Sequence, residues 1–280
     1  MDLTRYSPEL EFGPGGVWTV PTESIVSYPK SGHHDCFEIE DSSFWFEHRN
    51  RCLAALVERF PPSGPIFDVG GGNGVVAAAL TARGWSVVLV EPGAVGCRNA
   101  LARGVQDVVQ ATFGAAAFDE GALPAVGLFD VIEHVADDTS FLLTVRSKLA
   151  SDGVIYATVP AFNWLWSVDD EKAGHYRRYT RHGVIELFRA AGFRTTYSSY
   201  LFSPLPIGIL LLRSLPSRLG LLRRVSVDRA AREHESGGLL ERAVSSILRI
   251  EQGRIPYRRI PFGSSIVVVA ERSEVPPDRS

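Results

Sequence analysis

The stretch "PAFNWLWSVDDEKAGHYRRYTR", residues 160 to 181, crowds Trp164, Trp166, Asp169, Asp170, Glu171, His175, Tyr176, Arg177, Arg178 and Tyr179 into one short segment. An imidazole titrates near neutral pH, which makes His175 the candidate general base. Tyr176 and Arg178 are candidates to orient an anionic or polyhydroxyl partner, because a guanidinium presents a fixed fork of donors. A structural reading stands beside this one. In it, Arg177 and Arg178 pair with Asp169, Asp170 and Glu171 to hold a long loop closed, and Tyr179 only precedes a helix cap at Thr180. Asp169 and Asp170 would offer two carboxylates to a cation, but adjacent positions seldom point the same way, so no metal is expected.

A second stretch, "PIFDVGGGNGVVAAAL" at residues 65 to 80, sets Gly70, Gly71, Gly72 and Gly74 directly after a short apolar run. Glycine lets backbone approach a ligand with no Cβ in the way. Spacing narrows the ligand. A dinucleotide fingerprint counted from Gly70 and Gly72 requires glycine where Val75 stands, and no Gly-Lys-Ser/Thr follows to make a phosphate loop. What remains is Asp68-x-Gly70-x-Gly72-x-Gly74, a carboxylate at a strand end followed by alternate glycines.

The elements that must position these residues alternate. Apolar runs at 65 to 69, 86 to 90, 107 to 110, 125 to 128 and 154 to 159 are separated by helical segments near 75 to 83, 95 to 103 and 138 to 149. Gly84 and Gly104 fall where helix C-caps belong, and Asp137 or Asp138 where an N-cap belongs. Strand and helix repeating at this pitch imply a parallel sheet covered on both faces, with ligands beyond the carboxyl ends of its strands. Residues 1 to 36 lack helical period and read as an irregular arm that covers something. Asp41 or Ser42 would cap a helix whose apolar face carries Cys52, Leu53, Leu56, Val57 and Phe60, ended by "PPSG". A further helix from Thr180 to Ala191 leads into "TTYSSY", and "SSIVVVAER" at 264 to 272 reads as a last strand.

With these motifs in order, the chain resembles the class I methyltransferases that use S-adenosylmethionine, in particular their ubiquinone-biosynthesis-like branch (methyltransferase types 11 and 23). "SVVLVEP" puts Glu91, followed by Pro92, where that family carries an acid for the ribose hydroxyls, and one carboxylate can accept from both. "LFDVIEHVADD", residues 128 to 138, and "LASDGVIYATVP", residues 149 to 160, resemble the family's fourth-strand and fifth-strand motifs, and relatives often carry a string like "GHYRRYT". The resemblance implies a Rossmann-like fold with a mostly parallel seven-stranded sheet and helices on both faces. Its cofactor is S-adenosylmethionine, with S-adenosylhomocysteine as product. The implied cofactor contacts are Asp68, Gly70, Gly71, Gly72, Gly74, Glu91 and Pro92. Leu128 and Phe129 lie beside the sulfonium, and Arg49 meets the methionine carboxylate or is a solvent-facing charge. Where relatives place an adenine-binding Asp, "VVQATFG" presents Thr112 and Phe113; stacking, a Thr112 contact, or Asp107 would take that role. Glu133 and His134 read as the start of a helix beside the pocket.

The implied reaction moves a methyl group to a small-molecule acceptor, a hydroxyl or carboxyl oxygen, with nitrogen or carbon transfer, or cofactor binding without catalysis, as alternatives. In domain terms, 1–60 is an arm and cap helix, 61–200 the cofactor-binding core, and 201–280 an apolar and helical insertion with the last strand completing the same domain. Net charge is −3 over 280 residues, and nothing basic and aromatic is organised as a nucleic-acid groove. Three cysteines without C-x-x-C spacing, and no leader at the start, point to the cytoplasm. "HHDC" at 33 to 36 is too compact for a tetrahedral zinc shell and reads as a polar turn. Residues 201 to 222 are the greasiest, broken by Pro204, Pro206, Arg213 and Pro216 and too short to span a bilayer. Core or a homodimer face is favoured there over a membrane surface or lipid-linked acceptor touched together with Arg213, Arg218, Arg223 and Arg224. "VDRAAREHESGG" reads as a polar linker.

Overall fold

Four short central strands place the glycine loop and its neighbours on one edge of a sheet. In the computed structural model, which describes residues 1–13, 15–21, 43–219 and 239–273, β3 (Ile66–Val69), β4 (Val87–Val90), β5 (Asp107–Gln110) and β6 (Leu123–Phe129) run parallel. β3 pairs with both β4 and β6 and is wholly buried, so the glycine loop emerges from the centre of the sheet. On the far side, β7 (Leu149–Pro160) adds in parallel to β6. The last strand, β9 (Ser265–Arg272), inserts antiparallel between β7 and β8 (Phe193–Leu201). Among the described residues the sheet has nine strands where seven were expected. The extra two come from the amino-terminal arm: β1 (Glu11–Phe12) pairs with β2 (Trp18–Thr19), which adds to the β5 edge through Trp18 and Val109. That arm is therefore not irregular throughout. Leu3 and Leu10 are buried, and Tyr6 meets Phe67 edge to face at 4.9 Å.

Helices follow the expected punctuation. α1 (Phe44–Arg59) is capped by Ser43, whose Oγ accepts from the Trp45 N–H; the anticipated caps Asp41 and Ser42 lie outside the described residues. Its buried face carries Cys52, Leu53, Leu56 and Val57. α2 (Val75–Thr81) and α3 (Ala94–Ala102) end before Gly84 and Gly104, both at left-handed φ near +87° and +86°. Asp137 caps α4 (Asp138–Lys148) by accepting from the Ser140 N–H, and Thr180 caps α6 (Arg181–Ala190) through the Gly183 N–H. Between them, α5 (Val168–Ala173) carries a Ser167/Asp170 capping box.

Residues 205 to 218 are helical as α7 (Leu205–Ile209), a π turn (Leu210–Ser214) and α8 (Leu215–Arg218). Of the two readings favoured for this stretch, ordinary core and a dimer face, core holds for its start and not for the exposed helical residues that follow. Ile207, Leu211 and Leu212 are each more than half exposed, while Leu201 and Phe202, just before the helical turns, are wholly buried. No helix among the described residues is long and apolar enough to cross a membrane. α9 (Leu239–Arg254) packs back on α1. Cys52 and Cys97 are buried free thiols; Cys36 and "HHDC", like the linker at 227 to 238, lie outside the described residues.

Candidate active site

Gly70, Gly72 and Gly74 leave β3 at φ of +68°, +56° and +75°, a left-handed sequence that side chains resist. Gly71 is needed for space instead, since a Cβ there would sit 2.3 Å from Leu89 Cδ1 and 2.7 Å from Asp68 Oδ2. Glu91, at the exit of β4, is locked to this loop: the Gly72 N–H donates to Oε2 at 3.1 Å and the Gly93 N–H to Oε1 at 2.7 Å. Pro92 follows, half-buried. Sequence reasoning missed Gly96, where a Cβ would lie 2.7 Å from the Gly72 carbonyl oxygen, so α3 presses directly on the loop.

Asp68 does not hold the loop by backbone hydrogen bonds. It is fully buried, and among the described residues neither oxygen has a hydrogen-bond partner. Burial pushes its pKa up to about 7, with Arg49 the main opposing influence and Glu91 adding to the rise. Arg49 is buried rather than solvent-facing, and its Nη1 donates to Asp130 Oδ2. Asp130, another residue that sequence reasoning passed over, leaves β6 at φ +58° and also accepts from Thr158 Oγ1 at 3.0 Å.

Other expected cofactor contacts are placed less openly. Leu128 is wholly buried, which leaves Phe129 and Asp130 as the side chains at the strand's exit. Phe113 is buried against Phe118 and Phe141, at 5.7 and 6.2 Å between ring centres. Thr112 Oγ1 accepts from the Ala115 N–H. Asp107 starts β5, opposite Val88, and so sits at the strand end away from the loop edge; it cannot take the adenine role.

The aromatic and charged segment after β7 is built around Asp170, 1% exposed. Its Oδ1 lies 2.8 Å from His175 Nδ1 and accepts from Arg178 Nε at 2.7 Å, while Oδ2 accepts from Arg178 Nη2 at 3.0 Å. Burial alone would raise this carboxyl, but the bonds from His175 and Arg178 overcome it and hold the pKa down to about 2. Arg178 is thus spent on a bidentate pair and on the Ala161 carbonyl. Arg177 pairs with Asp138, not with Asp169, Asp170 or Glu171, because its chain reaches back over the start of α4. Asp169 points away from Asp170, exposed and facing Arg213. Tyr176 is 59% exposed and lies outside the cavity described next.

A cavity of about 520 Å³ opens between α1, the exits of β6 and β7, and the apolar helix. Trp45, Leu205 and Leu212 give it an apolar wall; Asp130, Glu133, His175 and Arg178 give it a polar one. A second depression of about 500 Å³ between α1 and α2 contains none of the site residues. At the polar wall, burial and the nearby Asp130 raise Glu133 well above the usual carboxylate range. Burial, with His175 alongside, lowers His134 to about 4. The His134 and His175 rings meet edge to face at 4.7 Å.

This geometry coincides with a family assignment. Residues 44–198, spanning α1 to most of β8, match the model of the methyltransferase-domain family. The chain belongs to that family and is a class I S-adenosylmethionine-dependent methyltransferase. Solved structures agree in fold. One is a chain of the complex between the Haloferax volcanii Trm112 methyltransferase activator and a putative methyltransferase, with TM-score 0.55, 16% identity, and coverage of 88% of this chain and 99% of that one. Another is a possible histamine N-methyltransferase of Thermotoga maritima, with TM-score 0.52, 19% identity and coverage of 86% and 99%. A third is the Haemonchus contortus phosphoethanolamine N-methyltransferase 2 with S-adenosyl-L-methionine, with TM-score 0.55, 16% identity and coverage of 89% and 58%. No curated protein sequence matches the chain.

Proposed function

We propose that the protein transfers the methyl group of S-adenosylmethionine to an oxygen of a small-molecule acceptor seated in the 520 Å³ cavity. The observation that carries this reading is a link between two built features. One is a glycine loop locked to Glu91; the other is a half-polar cavity with His175 in its wall. Asp130 lines the cavity and pairs with Arg49, whose charge acts on Asp68 at the start of the glycine loop. In it, Gly70 to Gly74 and Glu91 cup the adenosyl group, Asp68 and Arg49 set the charge beneath it, and Phe129 flanks the sulfonium.

Transfer is an in-line displacement: the acceptor oxygen forms its bond to the methyl carbon as the carbon–sulfur bond breaks, and the electron pair stays on sulfur. The acceptor must first lose its proton. Asp170 holds His175 through Nδ1, which leaves Nε2 to take that proton, an arrangement in which the carboxylate fixes the tautomer and orientation of the base. Arg178 acts here as a positioning residue. Its fork faces Asp170, which argues against an acceptor chosen for a phosphate or carboxylate clamp at that position.

Two substitutions test the reading. Glu91→Ala should weaken S-adenosylhomocysteine binding, measured by calorimetry, by on the order of 1.5–3 kcal/mol, since charge-assisted bonds are lost. His175→Ala should leave that binding intact and lower kcat about 10²- to 10⁴-fold on an oxygen acceptor. Unchanged affinity in the first, or unchanged turnover in the second, removes the corresponding role.

A further inference from the structure

Three side chains at the polar wall or beside it remain to be explained together. Glu133, His134 and His175 each bring one ligand-capable atom to within 4.8 Å of the others. Glu133 is 1% exposed, lines the cavity, and among the described residues its Oε2 has no hydrogen-bond partner. An unpartnered carboxylate oxygen in the interior costs stability unless a ligand satisfies it. Both imidazoles are already hydrogen-bonded: Asp170 bonds His175 at Nδ1, and the backbone at Ala173 and Gly174 hydrogen-bonds the His134 ring. Metal-ligating histidines are held in this way, by a carboxylate or a backbone carbonyl on the nitrogen that does not ligate.

We propose that Glu133, His134 and His175 bind one divalent first-row transition-metal ion, which takes the acceptor's oxygen as a further ligand. Two imidazoles and a carboxylate suit such ions, and their bonds of about 2.0–2.2 Å require the three side chains to draw inward slightly on loading. Glu133 and His175 both line a cavity large enough for a small molecule. An acceptor hydroxyl with a second oxygen beside it would chelate there. This inference rests on the reading that the cavity takes the acceptor, and it changes the fate of the proton. With the ion bound, His175 gives its lone pair to the metal, and the coordinated hydroxyl loses its proton to water because coordination lowers its pKa. Carbon–oxygen bond formation and carbon–sulfur cleavage then proceed as before.

The test uses the whole protein, stripped with a chelator and titrated with Zn²⁺, Mn²⁺ or Co²⁺ by calorimetry, with the Co²⁺ visible spectrum as an independent readout. One equivalent should bind. Glu133→Gln and His134→Ala should each weaken binding at least tenfold and change the Co²⁺ spectrum, while both variants still bind S-adenosylhomocysteine, which shows that they fold. Absence of stoichiometric binding by any of the three ions, or binding undiminished in both variants, overturns the metal site and leaves His175 as the base. Loss of S-adenosylhomocysteine binding by the unaltered protein would instead sink the methyl-transfer reading, whatever the titration shows.

Discussion

Asp68 and Asp170 are both buried carboxyls, yet their surroundings push them in opposite directions. Asp170 has three strong donors and stays ionised; Asp68 has none among the described residues and is pushed up to about 7. The sign of the consequence follows from linkage. Folded Asp68 holds a proton that the unfolded chain, with an ordinary pKa of 3.8, releases. Its contribution to stability is therefore full below that value and is lost as pH rises through about 7. Urea unfolding at pH 5 and pH 8 should show the protein losing stability across that interval, and Asp68→Asn should flatten the difference. An equal pH slope in the variant would show that Asp68 is not its source. At this scale the sequence was partly legible. The glycines and Glu91 declare themselves by type and spacing, because their chemistry needs only local backbone and one neighbouring strand. Asp130 did not, since its role depends on Arg49, 81 positions earlier in the chain, and on a left-handed φ that no spacing announces.

Elements meet the site through contacts closer than side chains allow. α3 reaches the glycine loop at Gly96, and an alanine Cβ there would stand 2.7 Å from the Gly72 carbonyl and 3.0 Å from Glu91 Cγ. Gly96→Ala should cost on the order of 1–3 kcal/mol through overpacking, and should also weaken S-adenosylhomocysteine binding although position 96 need not touch the ligand. Parallel measurements of denaturant midpoint and affinity check both halves. The main strands and helices were readable because each has an apolar period, a cap or a stopping glycine. β1 and β2 were not, because two residues are too few to display alternation. The apolar stretch at 201 to 222 left core and a dimer face both open for a different reason: hydrophobicity marks a surface that wants a partner but does not say which partner covers it.

Across the whole molecule, the cap helix is tied down from the far end of the chain. His48 Nε2 lies 2.9 Å from Glu251 Oε1, and the same carboxylate accepts from the Phe202 and Ser203 N–H groups. Trp45 of the same helix stacks on Phe202 at 3.6 Å between ring centres. Glu251 is 2% exposed, so Glu251→Ala strands several buried donors; a loss of about 3–5 kcal/mol is expected, read as a lowered Tm. A melting curve like that of the unaltered protein would show the clamp to be dispensable. No reading of the sequence joined residues 48 and 251, because contacts across 203 positions are settled only by the topology that brings α9 onto α1.

The same topology imposes an order in time. Among the described residues β8 pairs with its sheet only through β9, which is threaded between it and β7. As the ribosome releases the chain, residues 193 to 201 have no strand to pair with until residues 265 to 272 are made. The cap helix, clamped by Phe202 and Glu251, waits with them. The nascent protein thus builds its glycine loop early, and the far edge of its sheet closes only once residues 265 to 272 emerge.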